Sequence, residues 1–206
     1  VLLLSFFAAW QDQGLWKRAL LRGPMDIARG VSPSGGGATA QAGFDYQNRT
    51  AAWAAVQVLA EQAVSQPWGF PSNTTLEFIR CETEQPVDDL LIGTSEDGLV
   101  FVQVKHTVDL GSRPNSALAS VVGQFVRQFV SSQHQAGSKP WERPLNPNLD
   151  RLVLVAGPQS SATIREHLPA LLRRLRMTRQ PIDSIAKNQA ENRALHVLQG
   201  HLTRTW

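Results

Sequence analysis

Cysteine is nearly absent: Cys81 is the single one in 206 residues. No disulfide can form within the chain, and no Cys/His zinc spacing is present, which leads us to expect a reducing, cytoplasmic setting. An excess of one charge is also lacking, since 20 basic and 17 acidic residues leave a formal net charge of only +3. Bulk charge therefore does not name a polyanionic partner. Long apolar runs are missing too. Residues 1–10 read VLLLSFFAAW, which is too short to span a membrane and lacks the basic lead of a signal peptide. No membrane partner is expected. The glycine-rich stretch 32–37 (SPSGGG) lacks the Gly-Lys-Ser/Thr ending of a phosphate-binding loop, and no apolar strand leads into it. It reads as a flexible linker.

What is present is ordinary globular material: 42% hydrophobic and 18% charged residues, enough to build a core. The length suits one domain. Met25 precedes a polar stretch, so residues 1–34 read as an N-terminal extension and linker outside the chemistry. Residues 35–180 form the main domain, and 181–206 a C-terminal helix leading to a possible downstream module. A helix is expected over about 44–64, with Ala52, Ala55, Val56, Leu59 and Ala63 facing inward at three- and four-residue spacing. Strands follow at about 74–82, 89–93 and 99–106, the last being LVFVQVKH. Asp97-Gly98 suits a hairpin turn. A helix over about 117–133 presents Leu118, Val121, Val122, Phe125 and Phe129. A strand at 151–156 ends at Gly157-Pro158. An amphipathic helix then turns Ile164, Leu168, Leu171, Leu172 and Leu175 inward, and a last helix covers about 188–202. The expected fold is α/β, a mixed sheet of about four strands flanked by helices.

The basic residues cluster: Arg165, Arg173, Arg174, Arg176 and Arg179 fall close together. Arg173, Arg174 and Arg176 are candidate phosphate contacts, with a solvated helix face as the plainer alternative.

Gln103-Val104-Lys105 carries the most chemical information. Residues two apart on a strand share a face, so Gln103 and Lys105 point together, away from Val102 and Val104. A lysine on so apolar a strand is costly without a negative partner. A hairpin would bring it back to Asp88 and Asp89, and Glu82 or Glu84 closes the strand before. Acids, an amide and a lysine at one sheet end suit metal-assisted phosphodiester hydrolysis. Mg²⁺ or Mn²⁺ would be held by Asp89, Gln103 and Glu82, and Lys105 would stabilise developing charge.

The run Asp88-Asp89-Leu90-Leu91-Ile92, a turn, then Val102-Gln103-Val104-Lys105-His106 resembles the PD-(D/E)XK nuclease superfamily in its Q-X-K variant, as in Mrr-like restriction endonucleases. Gly43-Phe44-Asp45-Tyr46-Gln47 resembles the opening of the first helix in the CD-NTase-associated endonuclease effectors of bacterial anti-phage defence. Together the likeness covers about residues 35–157. It implies a restriction-endonuclease-like core and endonuclease activity on DNA, with double-stranded DNA as the expected substrate. It also implies a sensor or NTPase module, fused or associated, and an oligomer when active. Asp89 matches the metal-binding aspartate, with Asp88 the alternative register. Gln103 stands where the superfamily more often has Glu, and Lys105 matches the catalytic lysine. Gln47 stands in a supporting position where many Mrr-like enzymes have Glu. With two neutral amides in place of carboxylates, Glu82 would supply the second negative ligand. Two other readings remain open: a catalytically inactive nucleic-acid-binding or assembly module of the same fold, and a phosphoesterase acting on RNA.

Overall fold

The computed structural model describes residues 2–3, 36–64, 68–134, 137, 139–177 and 182–206. Its architecture is mixed α/β. Four principal strands, β2 (Leu76–Cys81), β3 (Leu90–Thr94), β4 (Leu99–Lys105) and β5 (Arg151–Ala156), make a sheet. A two-residue strand β1 (Leu2–Leu3) pairs antiparallel with the free edge of β5, giving the order β1-β5-β4-β3-β2. Part of the segment expected to be a mere extension thus lies along the sheet. Met25, the SPSG portion of the linker and Arg179 lie outside the described residues.

β2, β3 and β4 form an antiparallel meander, whereas β4 and β5 run parallel. The tight β3–β4 turn is closed by a Thr94 N–H bond to the Gly98 carbonyl at 2.9 Å. Asp97, rather than Gly98, adopts the left-handed conformation there, with φ 58°. A parallel neighbour needs a crossover, and α2 (Ala117–His134) supplies it. After β5 come a single π-turn, Thr163–His167, then α3 (Leu168–Met177) and α4 (Gln189–Thr205).

Alternation along the strands divides the core in two. Leu91, Leu99, Phe101, Leu152 and Leu154 face α2, α3 and α4, where Leu118, Val121, Phe125 and all five expected inward residues of the basic helix are buried. Leu90, Ile92, Val100, Val102, Val104, Val153 and Val155 face the other way, onto α1 (Gly36–Ala60) and the buried Trp68 and Phe70. The β4 start and the β5 start are tied by the Asp150 carboxylate. It accepts from Leu99 N–H at 2.8 Å, Asn146 N–H at 2.6 Å and the Arg143 guanidinium at 2.7 and 2.8 Å.

Helix α1 differs from expectation twice. It begins at Gly36 and ends at Ala60, so Gly36 and Gly37 are helical rather than linker. Helix-favouring Ala38, Ala40, Gln41 and Ala42 continue the helix from these glycines into the 44–60 segment. Its inward face is also rotated. Ala54 is fully buried, with Ala51 and Val58 beside it, whereas Val56 and Leu59 are 57% and 83% exposed. Apolar residues occur all around this helix, so spacing alone could not select a face. The small Ala51 and Ala54 let its backbone lie close to the valine-rich sheet.

Candidate functional site

The β2–β3 connection brings the acids to one end of the sheet. Beyond the last paired residues, Cys81 and Leu90, the backbone ladder continues: Glu82 N–H donates to Asp89 O at 3.2 Å and Thr83 N–H to Asp88 O at 2.9 Å. Glu82 therefore lies beside Asp89. It takes a left-handed conformation, φ 50°, and its side chain is exposed. Val87 N–H is held at 3.2 Å by the buried Gln128 amide of α2, whose nitrogen donates to Gln85 at 3.1 Å. The run into Asp89 is thereby anchored.

Register then does the rest. Leu90 pairs with Val102 and Leu91 with Phe101, so Asp89 comes opposite Gln103 on the face that also bears Lys105. Asp89 Oδ2 accepts a hydrogen bond from the Gln103 side-chain amide. The same oxygen accepts the Val104 backbone N–H at 2.6 Å. Gln103 is buried, and its Oε1 has no hydrogen-bond partner among the described residues. Burial pushes the Asp89 carboxyl above its usual range. The Val104 N–H and nearby Lys105 oppose that rise, and the charges of Asp88 and Glu82 add to it. Lys105 is half-buried and makes no ion pair among the described residues. Asp88 is exposed, one position off this face.

The end of β4 is clamped to β5. Gly157 N–H donates to Lys105 O at 3.0 Å, Val108 N–H to the buried Ser160 hydroxyl at 2.9 Å, and Ser161 N–H to Val108 O at 3.1 Å. A side chain at Gly157 would run into the His106 carbonyl, whose carbon would lie only 3.0 Å from the added Cβ. The following loop is fastened to α4 by buried His201, 2.7 Å from Gly111 O.

Gln47 falls elsewhere. It is half-buried on α1, which covers the opposite face, and no hydrogen bond links it to Asp89, Gln103 or Lys105. Its neighbour Tyr46 meets His106 edge-on, ring centroids 5.8 Å apart, so this turn of α1 abuts the strand end from behind. Tyr46, Gly157 and the Val104 N–H adjoin the candidate site, and sequence reasoning gave none of them a role there. Gly157-Pro158 was legible only as a strand terminus, and a main-chain donor leaves no residue signature.

Two of the candidate arginines have partners of their own. Arg174 pairs with Glu191, whose side chain is 4% exposed, and donates to Ile185 O at 3.3 Å. Arg176 donates to Gly69 O at 3.2 Å, while Arg173 is exposed. Arg176 is near enough to Arg151 to influence its ionisation, which puts it at the start of β5, whereas Lys105 pairs with Ala156 at its end. The separation is five strand steps, ~17 Å.

Among the described residues no group of three His, Cys, Asp or Glu side chains stands ready for a metal ion. The donors available are mixed: the Asp89 carboxylate, the unpartnered Gln103 Oε1 and the adjacent Glu82. These are hard oxygens, the class that Mg²⁺ and Mn²⁺ prefer. No helix among the described residues is long and apolar enough to cross a membrane. Compared with protein-family models, curated proteins and solved structures, the chain matches none of them.

Proposed function

We propose that this chain is a metal-dependent endonuclease hydrolysing phosphodiester bonds of DNA on a restriction-endonuclease-like core. One observation carries the reading. The Asp89 carboxylate meets Gln103 and the Val104 N–H on a strand face that also bears Lys105. A carboxylate, an amide and a lysine on one sheet face have a chemical use in phosphoryl transfer.

Asp89, Gln103 Oε1 and Glu82 would hold Mg²⁺ or Mn²⁺, which when bound supplies Lewis-acid polarisation and an activated water. The chain's own groups do the remainder. The Val104 N–H fixes the Asp89 carboxylate in one orientation. The Lys105 ammonium, on a strand end clamped to β5, stabilises negative charge gathering on the phosphoryl oxygens and orients the attacking water. The likeness of the Gly43–Gln47 and Gln103–His106 segments to anti-phage effector nucleases extends the proposal. It suggests a cytoplasmic defence effector, oligomeric when active and working beside a sensor or NTPase module. Arg173, exposed on α3, would contact DNA.

A second reading has its own observation. The hydrogen bond from the Gln103 amide already occupies Asp89, as suits a catalytically inactive nucleic-acid-binding or assembly module.

Plasmid nicking with Mg²⁺, against an EDTA control, separates the two. Lys105→Ala should reduce cleavage by on the order of a hundredfold or more with the fold intact. Lys105→Arg should not restore it, because a planar guanidinium does not replace a compact ammonium. Near-normal cleavage by folded Lys105→Ala, or cleavage undiminished by EDTA, defeats the proposal. Parallel RNA substrates test the DNA assignment.

A further inference from the structure

At the other end of the sheet two guanidiniums converge on one turn. Arg151, 6% exposed, spends one terminal nitrogen on the carbonyls of Pro147, Asn148 and Asp150, at 3.4, 3.1 and 2.8 Å. Its Cζ lies 5.0 Å from the Phe70 ring centroid. Its Nε is buried with no hydrogen-bond partner among the described residues, as is the indole nitrogen of Trp68, two residues before Phe70. Between those aromatics, Gly69 has φ +65° and receives the Arg176 guanidinium against its backbone, so close that an added Cβ would sit 2.8 Å from Arg176 Cζ. Neither arginine forms an ion pair among the described residues. The Asp150 carboxylate nearest in sequence is taken by Arg143, Leu99 and Asn146.

Two like charges beside one glycine turn are mutually unfavourable, and an unpaired buried donor is costly. We infer that Arg151 and Arg176 form a binding site at the Trp68–Phe70 turn for a compact tetrahedral oxyanion, a phosphate group. Guanidinium forks match such an anion's geometry. The depth of Arg151 favours free phosphate or a terminal phosphate monoester over an internal diester of a nucleic-acid strand. Burial and the neighbouring Arg176 already pull the Arg151 guanidinium down to about 10, with Asp150 opposing. An anion would relieve both effects. The site stands ~17 Å from Lys105 and does not rest on the nuclease reading.

Inorganic phosphate is the probe, titrated calorimetrically into the full chain with chloride matching the ionic strength. Wild-type protein should bind it, and Arg176→Gln should weaken binding at least about tenfold. Arg173→Gln, one turn away and exposed, should stay within about twofold. Lys105→Ala should bind as wild type does, which separates this site from the one at Asp89. Displacement by a nucleoside 5′-monophosphate would identify a nucleotide as the source, and its failure would assign free phosphate. The inference is overturned if wild-type protein takes up no phosphate at about 10 mM, or if Arg173→Gln and Arg176→Gln weaken it equally. Because Arg176 is half-exposed at a helix end, its replacement tests the site even if an Arg151 variant does not fold.

Discussion

Replacing Gly157 by alanine perturbs the proposed reaction centre from outside it. The added Cβ would overlap the His106 carbonyl oxygen and lie 3.0 Å from its carbon. Both obstacles are backbone, so no side chain can swing away. Relief requires the end of β4 to move from β5 by about 1 Å, at an overpacking cost of ~1–3 kcal/mol. For a chain of this size that lowers Tm by about 2–12 °C. The movement falls on Lys105, whose carbonyl accepts the Gly157 N–H at 3.0 Å. A misplacement of about 1 Å in a catalytic group can cost on the order of a hundredfold in rate. Gly157→Ala should therefore melt earlier and, at temperatures where it is fully folded by circular dichroism, nick plasmid DNA about a hundredfold more slowly. Wild-type Tm together with wild-type nicking would refute the reasoning, since the two strands would not be in contact there. A lower Tm with normal nicking would keep the contact but detach Lys105 from the chemistry.

Glu82→Gln should raise the Mg²⁺ concentration for half-maximal cleavage tenfold or more, about 1.4 kcal/mol, whereas Glu61→Gln, at the far end of α1, should not. An unchanged midpoint for Glu82→Gln would mean that another group completes the site. Asp89→Asn should raise Tm at pH 7 in EDTA. The folded-state pKa of Asp89 is raised, so its favourable contribution is full below the ordinary carboxylate range and is lost as pH rises through the folded value. The two proteins should converge near pH 3, roughly below the unfolded pKa, and Mg²⁺ should stabilise only the wild type. A lower Tm for the asparagine variant at pH 7 would contradict this. Arg174→Ala leaves the Glu191 carboxylate, 4% exposed, with the Lys187 N–H but without its ion-pair partner, and should cost ~1.5–3 kcal/mol. Thermal unfolding would register that loss, while Arg173→Ala should instead weaken DNA binding with little change in Tm.

The sheet and its flanking helices were legible because their signals are local and repeated. LVFVQVKH alternates Gln103 and Lys105 against Val102 and Val104, and that alternation fixes both faces of β4. The Leu168-Leu171-Leu172-Leu175 stripe has one apolar side and buries it. Helix α1 was misjudged because alanines, valines and a tryptophan surround it, and only the tertiary choice of Ala54 selects a face. The meeting of Asp89 with Gln103 followed from a short hairpin, which propagates register without long-range information. The side of the sheet on which Gln47 lies depends on how a distant helix packs, and a motif read along the chain carries no such coordinate. The partners of the basic cluster are likewise tertiary: Arg174 and Arg176 resemble Arg173 in sequence, yet find Glu191 and Gly69 only in three dimensions.

The parallel pairing of β4 with β5 has a kinetic consequence. Val100 lies beside Arg151 and Lys105 beside Ala156, so the central ladder joins segments separated by the whole crossover helix. The β3–β4 hairpin can bring Asp89 to Gln103 by closing a short loop. The clamp from Gly157 onto Lys105 must wait for a closure of far higher entropy. Acid and amide can therefore meet early in folding, and the lysine is locked in position only when the chain is nearly native.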